Sequence, residues 1–568
     1  MSVQQNISPE IVPGSDFPVV WENPEDERLF WQHGRLLFPD PMTPLDFSYQ
    51  QILCRGADRA FEAYDIPMRG EHRHINTYYY CASVFQPDPP GETEARTIRS
   101  REKLDAAMAE LGERWETEWL PEIRSHLDFW ESYDLEGASP EALAGHLEET
   151  RHRTERSWEI HFLLYCPMTL AVSLFEEMYR DLFGESGQSA PYSLLAGFRN
   201  KNIESGRAVW ELSRQATTLP GVRETLAGND AADVAGKLGN SAEGREFLRH
   251  LDQYLREYGR RSGKSTLNIP FWAENPAPVI RNLQNYLAMP DMDLNARFSE
   301  AAETRENHLK DIRKGLQEYP EPVKAKFETL LRAAQTGHTL REDHDYWIDF
   351  QVKYYTRQVF LESGRHLESA GALEKQDDIF YLTWDELDES IGKLPGVTDL
   401  RERVRDRRAA EEHFSSALPP PFMGTPPPGP PPDDPLMRTF MKIGGEPVTR
   451  VSDSPDELGG HAGSPGIVRG TAKVVRSLSD TKLKPGDILV TESTSPSWTP
   501  VFATIAGVVT DSGGILSHCA IVAREYGVPA VVGAGTATTT IRDGQTIEVD
   551  GDRGVVRIIR KSENSCGD

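Results

Sequence analysis

Between Pro419 and Pro435 the chain carries ten prolines in seventeen residues, with Gly424 and Gly429 among them. Proline locks φ and lacks an amide hydrogen, so such a run excludes helix and central strand. It predicts a polyproline II path of about 3.1 Å per residue, roughly 50 Å if fully extended. The run is a plain spacer or a semi-rigid tether, and either way it marks a boundary. A chain of 568 residues has room for roughly two to four domains. The expected division is a mainly helical region over 1–416, the linker over 417–436, and a further domain over 437–568.

The region before the linker reads as helix. Arg96–Trp130, Pro140–Phe183, Ala242–Arg260, Met292–Gln317 and Arg341–Leu367 place apolar residues at three- and four-residue spacing among many charges. Aromatic side chains are dense in two of them, and form either an ordinary core or the wall of a pocket for a flat apolar ligand. Tyr78-Tyr79-Tyr80 and Asp378–Thr383 read as short strands.

The formal charge is −27 and the pI about 5.1. That balance argues against nucleic-acid binding and requires local compensation at any phosphate site. The longest largely apolar stretch, Phe162–Phe175, contains a proline and is too short for a bilayer. The first twenty residues lack the basic start and apolar core of a signal peptide. Five scattered cysteines form neither a disulfide framework nor a metal-ligand spacing. These features predict a cytoplasmic protein without a membrane or nucleic-acid partner.

Chemistry concentrates after the linker. Gly507-Val508-Val509-Thr510-Asp511 predicts a strand running into Gly513-Gly514, after which His518 opens a predicted helix. Two glycines permit a tight turn and a close approach to an anion. A helix N-terminus favours negative charge, and imidazole is nucleophilic near neutral pH. The pattern suits a histidine that carries a phosphoryl group; the bland alternative is a buried histidine on a strand-to-helix turn. No Walker A sequence, kinase-type glycine loop or dinucleotide fingerprint occurs.

Those residues resemble the phosphohistidine swivel domain of the phosphoenolpyruvate-utilising enzymes, an α/β domain of the β/β/α type. The resemblance runs from Gly463-Ser464-Pro465-Gly466-Ile467-Val468-Arg469-Gly470, similar to the family's opening hairpin, through Lys484-Pro485-Gly486-Asp487 and Ser497-Trp498-Thr499-Pro500. It ends on Gly527-Val528-Pro529 and Asp543-Gly544-Gln545. It implies that His518 is the covalent phosphoryl carrier. Thr510, Ser512, Gly513, Gly514 and Ser517 would hold the phosphoryl group. Cys519, where the family usually has alanine, reads as a small buried residue, and Arg524 as structural, paired with Glu525 or Asp511. Nothing before residue 418 resembles the family's ATP-grasp module. With the chain ending soon after Ile559, the family's phosphoenolpyruvate-binding barrel is not expected here. A separate ATP-grasp subunit, with ATP and Mg²⁺ bound there, is the expected partner.

Phe38-Pro39-Asp40-Pro41-Met42-Thr43-Pro44-Leu45 and Asp377–Thr383 with Glu386-Leu387 are similar to the two ends of the substrate domain in rifampin phosphotransferases. Where that family has a histidine before Phe-Pro, this chain has Leu37, and His33 is not equivalent by position. The layout of substrate domain, linker and swivel domain is most similar to the phenol- and 4-cresol-phosphorylating synthases. The resemblance implies a phosphotransferase subunit acting on a small aromatic hydroxyl compound. The alternatives are a bulkier hydroxylated acceptor such as an antibiotic, or a non-enzymatic phosphocarrier. Acceptor chemistry needs a cation for phosphoryl oxygens and a base for the hydroxyl. Arg341-Glu342-Asp343-His344-Asp345 at the head of an aromatic helix predicts such a site, with His344, Trp347, Gln351 and Tyr355 on one face after Arg341. The bland alternative is a capped, solvated helix start. Lys353 and Arg357 are further cations, each expected at the surface. His72 and His74 are secondary candidates to line a site; no metal site is expected from them.

Overall fold

The computed structural model describes residues 17–21, 23–184, 190–427, 429, 435–444, 454, 456–476 and 483–559. The chain divides into two compact units. One takes residues 1–165, 264–269 and 351–432, the other 166–263, 270–350 and 433–568. These limits do not coincide with boundaries at 416 and 437.

The first unit contains a four-stranded sheet: β1 (Phe30–His33), β2 (Met68–Ile75), β3 (Tyr78–Phe85) and β4 (Phe422–Gly424), in the order β2-β3-β1-β4. Asn76 and Thr77 have φ of 49° and 69° and close the β2–β3 hairpin, the left-handed pair that a two-residue hairpin loop needs. The tyrosine run is a strand, as expected. Tyr78 and Tyr80 face Trp31, Ile75 and Met423, while Tyr79 packs with Phe38 and Met42 on the other face.

The proline run is not a free tether along its first half. Phe422–Gly424 pairs antiparallel with β1 at the sheet edge, the Tyr80 hydroxyl donates to Pro420 O at 2.8 Å, and the His33 amide donates to Pro421 O at 3.0 Å. An edge strand leaves one side unpaired, so prolines on either side of it cost no ladder bond. Residues 428 and 430–434 lie outside the described residues, and Pro435–Gly444 is a helix with proline in its first turn, where no amide hydrogen is needed.

The expected helices are present, two of them interrupted. Thr93–Arg114 and Leu120–Glu131 flank a π-helical turn, Trp115–Trp119. Glu321–His344 and Gln351–Ser369 flank another, Asp345–Phe350. Helix Pro140–Phe183 is long and apolar enough to cross a membrane, yet 78% of its apolar window is buried in the protein, as in a core helix. The strand expected over Asp378–Thr383 is instead a 3-10 turn, Gln376–Tyr381. Asp378 accepts the Lys375 amide at 3.2 Å, and Thr383 then caps Trp384–Gly392 in a reciprocal box with Glu386; capping overrides local strand propensity.

The second unit carries an eight-stranded sheet. Its strands are β5 (Glu457–Gly459), β6 (His461–Ser464), β7 (Ile467–Val474), β8 (Asp487–Thr491), β9 (Gly507–Thr510), β10 (Ala530–Val532), β11 (Thr546–Asp550) and β12 (Val555–Ile558). The order is β5-β12-β11-β7-β8-β9-β10-β6, with β7 to β10 parallel. β6 and β7 do not form the expected opening hairpin. They separate at Pro465-Gly466, β6 pairing with β10 and β7 with β11 and β8. The central strands are buried on both faces. Ile488, Val490 and Val509 join one core with Ile547 and Val549. Leu489 and Val508 join a second with Cys519, Val522 and Tyr526 and with helical residues Val209, Phe247 and Leu283. This second core is why helices from 201–287 group with the C-terminal sheet.

Helix His518–Tyr526 ends on Gly527 at φ 64°, ψ 32°, with open space where a Cβ would sit. The penalty of a side chain there is conformational only. Gly527→Ala should destabilise this unit by about 1 kcal/mol, read as a lower denaturation midpoint; an unchanged or raised midpoint would contradict the left-handed cap.

Candidate functional site

β9 and β10 are parallel neighbours, and the chain between them forms a turn and the His518–Tyr526 helix. His518 therefore stands beyond the carboxyl ends of parallel strands, where open α/β sheets place their ligand sites. Gly513 adopts φ 105°, a conformation closed to other residues, and turns the chain back. Ser517 is the N-cap, its hydroxyl accepting the Ala520 amide at 3.4 Å. His518 is thus the first helical residue, where backbone N–H groups have no intrahelical acceptor. Thr510 is fully buried, and its hydroxyl donates to Ser512 O at 2.9 Å, closing the turn.

The loop is held from outside by the helix that follows the proline run. Gly514 N donates to Ile443 O at 3.0 Å and Leu516 N to Lys442 O at 3.1 Å. The last carbonyls of Pro435–Gly444, which lack intrahelical partners, thereby bind the histidine loop. Lys442 Nζ reaches Glu176 Oε2 at 2.8 Å and Ser173 Oγ at 3.2 Å. Glu176 also accepts from the Tyr192 hydroxyl at 2.7 Å. Burial pushes the Glu176 carboxyl up, but Lys442 and these hydrogen bonds outweigh it and hold it below the usual range. Arg524 is structural, as expected, though not through Glu525 or Asp511. It donates to Gly463 O at 2.7 Å and Ile515 O at 3.0 Å and lies over the Tyr192 ring. Burial lowers its guanidinium to about 10. Cys519 is buried and its thiol pushed up to about 12 by burial, which suits packing and not nucleophilic attack.

His518 has an 11% exposed side chain, and its Nδ1 lies 3.5 Å from Glu342 Oε2. That is an ion-pair separation, and among the described residues neither ring nitrogen has a hydrogen-bond partner. Glu342 is 2% exposed and accepts from Asn202 Nδ2 at 2.7 Å. Burial pushes its carboxyl up. The charge and proton of His518, then Asn202 and Arg341, overcome that and hold it well below the usual carboxylate range. In the neutral imidazole, a carboxylate facing Nδ1 favours the proton there and leaves the lone pair on Nε2. The arrangement presents one nucleophilic nitrogen at a positive helix end, oriented by a buried base.

The five residues expected to form the acceptor site lie on two helices and the π turn between them. Arg341 and His344 lie in the last turn of Glu321–His344, not at a helix head. The π turn that follows inserts an extra residue per turn and rotates the face. His344 Nδ1 faces Leu340 O at 2.9 Å, Trp347 lies edge-on to Tyr346, and Tyr355 stacks on Trp130. Arg357 is buried, not a surface charge, and lies over Phe380. His72 Nδ1 is 2.7 Å from the Tyr79 hydroxyl, and His74 Nε2 is 2.8 Å from Met42 O.

The residues missed were Glu342 and Asn202. Glu342 stands in the charged string already singled out, one position after Arg341. Helical phase, counted back from that turn, would have separated it from His344. Asn202 carries no sequence signal beyond a polar residue within an otherwise amphipathic helix.

Residues 483–554 match the family described as PEP-utilising enzyme, mobile domain, and residues 163–342 match the rifampicin phosphotransferase fourth domain. The chain therefore carries the mobile domain of the PEP-utilising enzymes together with a rifampicin-phosphotransferase-type region. Among its relatives are a chondramide synthase of Chondromyces crocatus, 41% identical over 97% of this chain and 14% of that protein. An uncharacterized phosphotransferase of Bacillus subtilis is 31% identical over 72% of this chain and 48% of its own length. A rifampicin phosphotransferase of Streptomyces sviceus is 32% identical over 63% and 40%. The chain spans less than half the length of each.

A depressed carboxyl stabilises the fold above its ordinary pKa of 4.5, and that contribution is lost as pH falls through the folded value. The stability gap between the natural chain and Glu342→Gln should accordingly be flat from about pH 5 to 6 and shrink in more acid solution. Denaturant midpoints across that range check it; a gap that grows on acidification would contradict the charge assignment.

Proposed function

We propose that the chain is a phosphotransferase component in which His518 carries a phosphoryl group to the hydroxyl of a small organic acceptor. The observation that carries the reading is the placement of His518 at a helix N-terminus beside a glycine turn, its Nδ1 faced by buried Glu342. In charging, the Nε2 lone pair forms the N–P bond while the donor's P–O bond breaks. In discharge, the acceptor oxygen attacks phosphorus, the P–N bond breaks, and the hydroxyl proton passes to a base. Gly513, Gly514, Ser512 and Ser517 lie around the phosphoryl group, with backbone N–H groups of the helix start meeting its charge; Thr510 shapes the turn. ATP and Mg²⁺ belong to an ATP-grasp partner. The mobile domain travels between that partner and the acceptor, the segment around the prolines serving as its tether.

The acceptor site lies in the first unit. A cavity of about 270 Å³ is lined by Met42, Phe47, His74, Tyr381, Arg407 and Glu411, among others. Both segments that resemble a substrate domain, around Phe38–Leu45 and Asp377–Thr383, contribute to it. Among the described residues one carboxylate oxygen of Glu411 has no hydrogen-bond partner, and it is the base for the hydroxyl. This volume suits a single aromatic ring such as 4-cresol or phenol. The names of the relatives, a rifampicin phosphotransferase and a chondramide synthase, favour a larger hydroxylated natural product as the second reading.

The full chain treated with phosphoramidate, a chemical phosphoryl donor, should gain phosphohistidine at His518 and none in His518→Ala. Added phenol or 4-cresol should discharge it as aryl phosphate. Absence of label at 518 defeats the carrier reading, while a label stable to both phenols moves the acceptor to the larger class. Glu411→Gln should leave labelling intact and slow discharge about a hundredfold; equal rates would remove Glu411 as the base.

A further inference from the structure

Arg261 is 1% exposed. Burying a guanidinium is costly unless it is paired, and burial pushes its pKa down. Among the described residues no carboxylate forms an ion pair with it. Its faces are covered, with the guanidinium carbon 4.5 Å from the Phe350 ring centre and 5.5 Å from that of Trp272. Ring contacts satisfy the faces of a guanidinium and leave its N–H edge, which points in the plane, in need of acceptors. Nη1 meets Asn202 Oδ1 at a long 3.4 Å. Among the described residues Nε and Nη2 have no acceptor, and neither does the indole Nε1 of Trp272, also 1% exposed.

Arg and Trp side chains offer donors only. Two crossing backbone bonds, Trp272 N to Arg261 O and Ala273 N to Gly259 O, both 2.8 Å, fix the two residues opposite each other. The result is a desolvated set of donors; the Asp345 carboxylate acts on the guanidinium only through space, and burial outweighs it. The same Arg261 touches Asn202, which holds Glu342, which faces His518. We propose that Arg261 and Trp272 form a buried oxyanion site for a phosphate-class group, either the phosphoryl group on His518 or the phosphate of a released product. The choice of phosphate over other oxyanions rests on the phosphotransferase reading. In that role Arg261 supplies the cation that phosphoryl transfer requires, a role sequence reasoning had given to Arg341.

Two signals test the site in the full chain. Inorganic phosphate titrated calorimetrically into His518→Ala reads the free-phosphate source. The ³¹P resonance of phosphohistidine in phosphoramidate-treated natural chain reads the carried source. In each background Arg261→Gln removes the charge, and Trp272→Phe keeps a ring beneath the guanidinium while removing the N–H. Expected is phosphate binding weakened about tenfold or more by Arg261→Gln and several-fold by Trp272→Phe, or a ³¹P resonance moved by both. Phosphate binding that is absent or indifferent to both substitutions, together with an unmoved resonance, overturns the site. Labelling of His518 is scored separately. Label without any Arg261-dependent signal sinks the oxyanion site and leaves the carrier standing; Arg261-dependent phosphate binding without label does the reverse.

Discussion

The second unit is organised around a buried carboxylate facing a histidine. Glu342 is almost fully enclosed, and an ionised carboxylate in such a place is tolerable only with compensating charge and hydrogen bonds. His518 and Asn202 supply them. The position of the helix bearing Glu342, the turn bearing His518 and the helix bearing Asn202 are thereby tied to one another. The cost of separating them is the cost of leaving that carboxylate unpaired. Any motion of the mobile domain has to meet it, by protonation of Glu342 or by admission of water.

Backbone groups supply the second restraint. The amides of Gly514 and Leu516 end on the final carbonyls of Pro435–Gly444, and Lys442 of that helix is anchored on Glu176. The segment beyond the prolines is therefore structurally continuous with the histidine loop. A pull on it is transmitted to the two peptide groups that flank Ile515, two residues before the N-cap. The helix after the prolines and the histidine loop are mechanically one element.

Local patterns were readable where short-range physics decides. Apolar spacing revealed the long helices, an aromatic run after a polar, glycine-containing stretch placed the tyrosine strand, and a strand, two glycines and a histidine located the turn and helix start at 518. Reading failed where a local preference met a longer-range constraint. Asp378–Thr383 has strand-like residues but caps two successive helical segments. Phe422–Gly424 sits among prolines yet finds an edge to pair with. The face predicted from Arg341 to Tyr355 assumed 3.6 residues per turn, and the π turn at Asp345–Phe350 broke that count. A π turn leaves no mark in composition.

The sequence by itself determined the glycine turn and the histidine at the helix start, because glycine conformation, helix capping and a nucleophilic side chain are all properties of one short segment. Tertiary structure alone decided what faces that histidine. Glu342, Asn202 and Arg261 come from three separate helical segments and loops, and their charges acquire meaning only through burial. A glutamate at the surface is an ordinary solvated anion, whereas the same group enclosed beside His518 becomes an orienting base. The sequence lists the charges, and only packing removes the water that would otherwise screen them.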